Sequence, residues 1–189
     1  MPHIHQEENQ YDHTVSAFIV LIEEGKKDRV LLHRHRKLGL WFQPGGHVEL
    51  NENPYQAIAH ELQEETGFDL NDLALLEPRT LRLPQGIQET LHPLPLFSRS
   101  HYYIGSDPTH YHHDLTYGFV TDKKPQGKPA EGESQELHWF TREELAEIPS
   151  GDIHPDIRTI AHDILDGHHD LSVRAASDYS LEIPAPLVF

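Results

Sequence analysis

The sequence predicts a mixed α/β (α+β) domain, and three features of the chain carry that expectation. Residues 15–22 form an apolar run of strand length, broken only by Ser16, as a strand buried on both faces requires. Residues Pro54–Thr66 have helix caps and an apolar arc suited to packing on a sheet. Residues 155–166 place Ile157, Ile160, Ala161, Ile164 and Leu165 at helical spacing. A chain of 189 residues can bury a real core as one domain. With 37% hydrophobic and 24% charged residues it is globular in composition, while 14 prolines and a mean hydropathy of −0.60 call for generous loops.

Residues 1–13 are polar and His-rich and are expected to form a loose arm, with the domain over 14–167. After the apolar strand, 24–28 make a turn and 29–36 a second strand. That strand ends in Arg34, His35 and Arg36, which bring positive charge close to a Gln43-Pro44-Gly45-Gly46 turn. Residues 48–50 predict a short strand. For the helix that follows, Asn53 is a suitable N-cap, Pro54 fits the first helical position, and Gly67 suits a left-handed residue past the end.

Short strands are expected over 73–76 and 80–83. Residues 84–111 read as one long irregular stretch rich in Pro and His, a length that points to function or disorder. A strand over 114–120, a Pro/Gly-rich loop over 123–132 and a strand over 137–140 complete the sheet. Thr141-x-x-Glu144 is a capping box opening a short helix, and Gly167 is expected to stop the last one. Residues 168–189 are a tail with an apolar end, expected to dock on the domain or on a partner subunit as a homodimer.

Lys and Arg number 15 against 31 Asp and Glu, a net charge of −16. Stable nucleic-acid binding needs a basic footprint and is not expected. No apolar run is long enough to span a membrane. The first residues lack the basic region and apolar core of a secretory signal, and the chain has no cysteine, so a cytoplasmic location is expected. The 17 histidines could offset the whole negative charge in acid. They are scattered, which argues against a metal-storage tract.

Along the Pro54–Thr66 helix, Glu61, Glu64 and Glu65 share one arc of roughly 100°. Tyr55, Ile58, Ala59 and Leu62 form a separate arc, and Ala57 lies within the acidic one. Like charges one turn apart destabilise a helix. The bland interpretation is a solvated acidic face; the functional one is a site for hard divalent cations, which take oxygen ligands and relieve the repulsion.

The residues upstream favour the second. Gly46, Glu52, Glu61, Leu62, Glu64, Glu65, Gly67 and Phe68 match the pattern Gly-x5-Glu-x7-Arg-Glu-U-x-Glu-Glu-x-Gly-U, where U is apolar. Here the chain resembles the Nudix hydrolases, whose signature this is; it departs at one position, where His60 replaces Arg. The resemblance implies an α/β/α sandwich with a mixed β-sheet between helices. It also implies hydrolysis of a nucleoside diphosphate linked to a group X, a small nucleotide-type substrate, by metal-activated water.

The implied cofactor is Mg²⁺ or Mn²⁺, two or more ions, held by Glu61, Glu64, Glu65 and the Gly46 carbonyl. Glu64 or Glu61 is the implied catalytic base, with Glu133 or Glu136 as downstream alternatives. Asp114 and Asp122 are candidates for an extra ligand, and Arg34 and Arg36 for substrate phosphate. Glu52 resembles the family's structural Glu, with His60 as its brace partner. The family's ADP-ribose members carry a proline downstream of the signature; Pro84 lies one residue beyond that position, so the substrate stays open. The rival function is a Nudix-like module that binds a ligand without cleaving it. The intact carboxylate set favours the enzyme, and His60 is the best argument for the rival.

Overall fold

The computed structural model describes residues 8–80, 84, 89–103 and 109–182. The strands are β1 (Tyr11–Leu21), β2 (Arg29–Arg34), β3 (Trp41–Phe42), β4 (Gly45–His47), β5 (Ala74–Glu77), β6 (Phe97–Tyr103), β7 (His110–Thr121), β8 (Leu137–Thr141) and β9 (Ser172–Ala175). The helices are α1 (Pro54–Thr66), α2 (Arg142–Glu147) and α3 (Pro155–Gly167).

The strands join one mixed sheet, ordered β3-β2-β1-β7-β5-β9, with β4 on β1, β6 on β7 and β8 on β2. Its spine is the parallel pair β1 and β7, in register from Tyr11 opposite Tyr111 to Leu21 opposite Thr121. The remaining strand pairs are antiparallel. Because successive side chains alternate across a strand, β1 feeds both faces. Val15, Ala17 and Ile19 pack with Tyr55, Ile58 and Leu62 of α1. Phe18 and Val20 pack with Leu145 of α2 and Ile157, Ala161 and Ile164 of α3. The sheet therefore lies between α1 and the α2–α3 pair, as the resemblance implied.

Several elements differ from expectation. The strand expected over 15–22 starts at Tyr11, because Tyr11 to Thr14 pair with the start of β7. The strand at the glycine turn is Gly45–His47 rather than 48–50, since β1 pairs with it from Thr14 to Ser16. The stretch 84–111 is not irregular throughout: it holds β6 and the first residues of β7. Thr80 stands in a turn, and the rest of the strand expected over 80–83 lies outside the described residues, as do 1–7 of the arm and 183–189 of the tail. The last helix ends at Gly167 as expected, but without a left-handed cap: Gly167 keeps right-handed backbone (φ −109°) and leads into a 3-10 turn over His168–Asp170.

The residues after that turn dock on the domain. Strand β9 pairs along β5 from Glu77–Ser172 to Ala74–Ala175. The buried Glu77 carboxylate accepts from Arg174 Nε at 2.9 Å and from the Tyr179 hydroxyl. A buried carboxylate needs such partners, and here they anchor the end of the described chain.

Candidate active site

Helix α1 begins as the sequence dictates. The Asn53 side chain accepts from the Tyr55 and Gln56 amides, Gln56 returns a bond to the Asn53 amide, and Gly67 closes the helix in left-handed backbone at φ +77°. The acidic arc is not solvated: Glu61 and Glu65 are 2% and 7% exposed, and only Glu64 faces water. Ala57, placed by spacing within that arc, is wholly buried in the core. The inward face of α1 is thus wider than its apolar residues alone, and two carboxylates are drawn in with it.

What they meet is the glycine strand. The Gly45 amide donates to Glu65 Oε2 at 2.8 Å. Only glycine fits there: φ is +147°, and a Cβ would lie 2.1 Å from the Val15 carbonyl oxygen. Burial pushes the Glu65 carboxyl up to about 9, helped by the negative charge of Glu61; the Gly45 hydrogen bond opposes this only in part. Glu61 is raised for the same first reason, with His60 opposing.

His60 stands beside the arc. Its Nδ1 is 2.8 Å from Glu52 Oε2, and its Nε2 is 3.5 Å from Glu61 Oε1, an ion-pair distance without hydrogen-bond alignment. The interaction with Glu61 first, and then that with Glu52, raises the imidazole to about 9 against the cost of burial. The second partner is Glu61, not Glu64 one turn ahead. The other Glu52 oxygen accepts from the Glu49 amide at 2.8 Å, so the turn after β4 closes on the same carboxylate.

The loop between β7 and β8 lies over the C-terminal end of α1. The Gly127 amide donates to the Gly67 carbonyl and the Ala130 amide to the Glu64 carbonyl, at 3.1 and 2.7 Å. This brings Glu133 close enough for its charge to raise both Glu61 and Glu65. Arg36 donates to the Gly132 carbonyl and so holds that loop.

Other candidates fall elsewhere. Glu136 is exposed, and its backbone is used in pairing with Arg34. Asp122 is exposed at the end of β7. Arg34 turns to Asp152 at 3.4 Å and lies over the Trp41 ring. Asp114 points to the opposite face from Leu115 and Tyr117, which pack on the α1 side, so it cannot join the acidic arc. Its carboxylate accepts from Thr14, Ser16, Thr116 and Arg99 at 3.0, 2.8, 2.7 and 3.1 Å.

Sequence reading missed His33. It is buried with its Nε2 3.8 Å from Glu65 Oε2 and is lowered to about 4, chiefly by burial and then by His35. Strand β2 therefore contributes a neutral imidazole, not positive charge, to this side. The available signal was alternation, since His33 shares the face of Leu31, which is in the α1-side core.

The donors that the acidic arc and its loop gather are oxygens: the carboxylates of Glu61, Glu64, Glu65 and Glu133, beside the Gly45-Gly46 backbone. Oxygen-only sets suit hard cations such as Mg²⁺ and Mn²⁺. Glu61 Oε1, buried and without a hydrogen bond among the described residues, is an atom that such a cation would satisfy.

Comparison with known proteins agrees with this fold. The model of the NUDIX domain matches residues 12–163. A solved NUDIX-family hydrolase from Clostridium perfringens superposes with a TM-score of 0.66 at 33% identity, covering 82% of this chain and 96% of that one. NAD-capped RNA hydrolase NudC of Pseudomonas aeruginosa is 26% identical over 84% of this chain and 45% of its own length. The 8-oxo-dGTP diphosphatase of Proteus vulgaris is 51% identical over 39 residues, 21% of this chain and 35% of its own. The chain thus spans less than half the length of these two curated relatives.

Proposed function

The chain belongs to the NUDIX domain family, and from that premise we propose that it hydrolyses the pyrophosphate linkage of a nucleoside diphosphate joined to a further group X. The observation that carries this reading is the burial of Glu61 and Glu65 against the glycine strand, with Glu64 and Glu133 beside them. Like charges packed together out of water cost stability unless something offsets them. Divalent cations, in our reading two or more Mg²⁺ or Mn²⁺ ions held by these carboxylates, would supply that offset, neutralise phosphate oxygens and lower the pKa of a water.

The protein's own part follows from position. In this reading Glu61 and Glu65 would offer oxygens from a rigid helix and the Gly46 carbonyl one from the glycine strand, with Glu64 at the solvent side of the same arc. Glu64, the exposed member, is the one that can take the proton of an attacking water and pass it to solvent; Glu61 and Glu133 are the other carboxylates in place for it. His60 holds Glu52 and Glu61 together, standing in for the family's Arg. The absence of cysteine fits a reducing compartment such as the cytoplasm. The test is ³¹P NMR of a panel of nucleoside diphosphate conjugates incubated with the protein and Mg²⁺ in ¹⁸O-water. Label in one phosphate of the products supports the reading. Tight binding of a conjugate with no cleavage would make the chain a ligand-binding module instead.

A further inference from the structure

On the other face of the sheet lies a second set of metal-ligating side chains with a different chemistry. His110 and His112 are two apart on β7 and share a face. Asp12 is the register partner of His112 across the parallel pair, and His47 of β4 is the partner of Thr14, the next β1 residue on that face. Three strands that are distant in sequence so converge on one point. His110 Nε2 and His112 Nε2 are 3.1 Å apart, and His47 Nε2 is 3.5 Å from Asp12 Oδ2. One ligand atom from each of the four residues lies within 4.8 Å of the others. Asp12 and His110 are almost wholly buried, His112 is buried and His47 is half-buried.

We infer that Asp12, His47, His110 and His112 form a binding site for one zinc ion. Zinc takes nitrogen and carboxylate ligands tetrahedrally at about 2.0–2.2 Å, which sets neighbouring donors roughly 3.3–3.5 Å apart. The pairs at 3.1 and 3.5 Å straddle that spacing. Three imidazoles and one carboxylate are a set that a borderline metal prefers, whereas the carboxylate arc on α1 suits a hard one. The two sites are on opposite faces of the sheet and select different ions by donor type. Because His47 follows Gly46 directly, an ion here also ties the glycine strand to the starts of β1 and β7.

The test is titration of the metal-stripped protein with Zn²⁺ against a chromophoric chelator, with Co²⁺ as a visible-spectrum probe. We expect one zinc per chain, a tetrahedral Co²⁺ spectrum and a raised melting temperature. His112→Gln should weaken zinc by more than the ~10–100-fold typical of losing a supporting group. His47→Gln, at a half-buried position less prone to misfolding, should do the same. Glu64→Gln should leave zinc affinity unchanged. Absence of stoichiometric zinc in the folded wild type overturns the inference, as does wild-type zinc affinity in His112→Gln and His47→Gln. Loss of zinc in His168→Gln instead would move the ion to the more open group of Asp28, His168 and His169 and overturn it too.

Discussion

His60 places one ring nitrogen 2.8 Å from Glu52 and the other 3.5 Å from Glu61, so a single imidazole joins the turn after the glycine strand to the acidic helix. An arginine would make this link with a permanent charge and a rigid fork of donors. Histidine makes it only while protonated, which makes the link dependent on pH.

The sign follows from the shift. The folded state holds the His60 proton up to about 9, against 6.5 for the free side chain. Its stabilising contribution is complete below 6.5 and is lost as pH rises through about 9. In the metal-free protein, wild type should therefore lose melting temperature relative to His60→Arg between those values. Parallel melting curves across that window would contradict a charged brace.

Glu65 works in the opposite sense to a paired carboxylate. Its folded value of about 9 lies far above 4.5, so the folded protein is penalised for ionising it as pH rises through that window. Glu65→Gln keeps an acceptor for the Gly45 amide and removes the charge. Its metal-free melting temperature at pH 8 should exceed that of wild type. Its hydrolytic activity should fall by more than the ~10–100-fold cost of losing a group that merely supports a metal ligand. A Gln variant less stable than wild type without metal would contradict the crowding argument.

Gly45→Ala should be among the more damaging single changes to the loop. The added Cβ meets backbone at 2.1 Å in a conformation that L-residues avoid. We expect a loss at the upper end of the ~0.5–3 kcal/mol range of point changes, read by urea unfolding, together with loss of activity. A change within ~0.5 kcal/mol would mean that the strand moves aside freely.

Asp114→Asn separates the two faces of the sheet. Three hydroxyls and Arg99 converge on this buried carboxylate. Removing its charge should cost about 3 kcal/mol, because the hub is then left with an unpaired cation and mismatched donors. Mn²⁺ affinity at the acidic arc, measured by EPR at a temperature where the variant is folded, should stay within about twofold of wild type. A large loss of Mn²⁺ affinity would return Asp114 to the cation site.

Much of α1 was legible because its signals are local: Asn53, Pro54 and Gly67 act within a few residues of themselves. The signature residues were legible for the same reason. What stayed hidden depends on partners far along the chain. The pairing of Asp12 with His112 spans about half the sequence, so no window of residues reveals that the two share a face. Strand β6 is polar because it sits at one side of β7, so its Ser, Arg and His residues carried no strand pattern. Val48 has the stronger strand propensity, yet β1 pairs with the glycines before it, and tertiary pairing prevailed. The burial of Glu61 and Glu65 was hidden likewise, since a helical wheel shows which residues share a face but not what that face meets.

The most direct measurement is turnover of a pyrophosphate-linked nucleotide against free Mg²⁺ concentration, for wild type and for Glu61→Gln, Glu64→Gln and Glu65→Gln. The expected result is no turnover after chelation, saturable activation by Mg²⁺ or Mn²⁺ in wild type, and loss in each variant while its fold persists. Turnover that survives chelation, or a Glu64→Gln enzyme as fast as wild type at saturating metal, would contradict hydrolysis at the acidic arc.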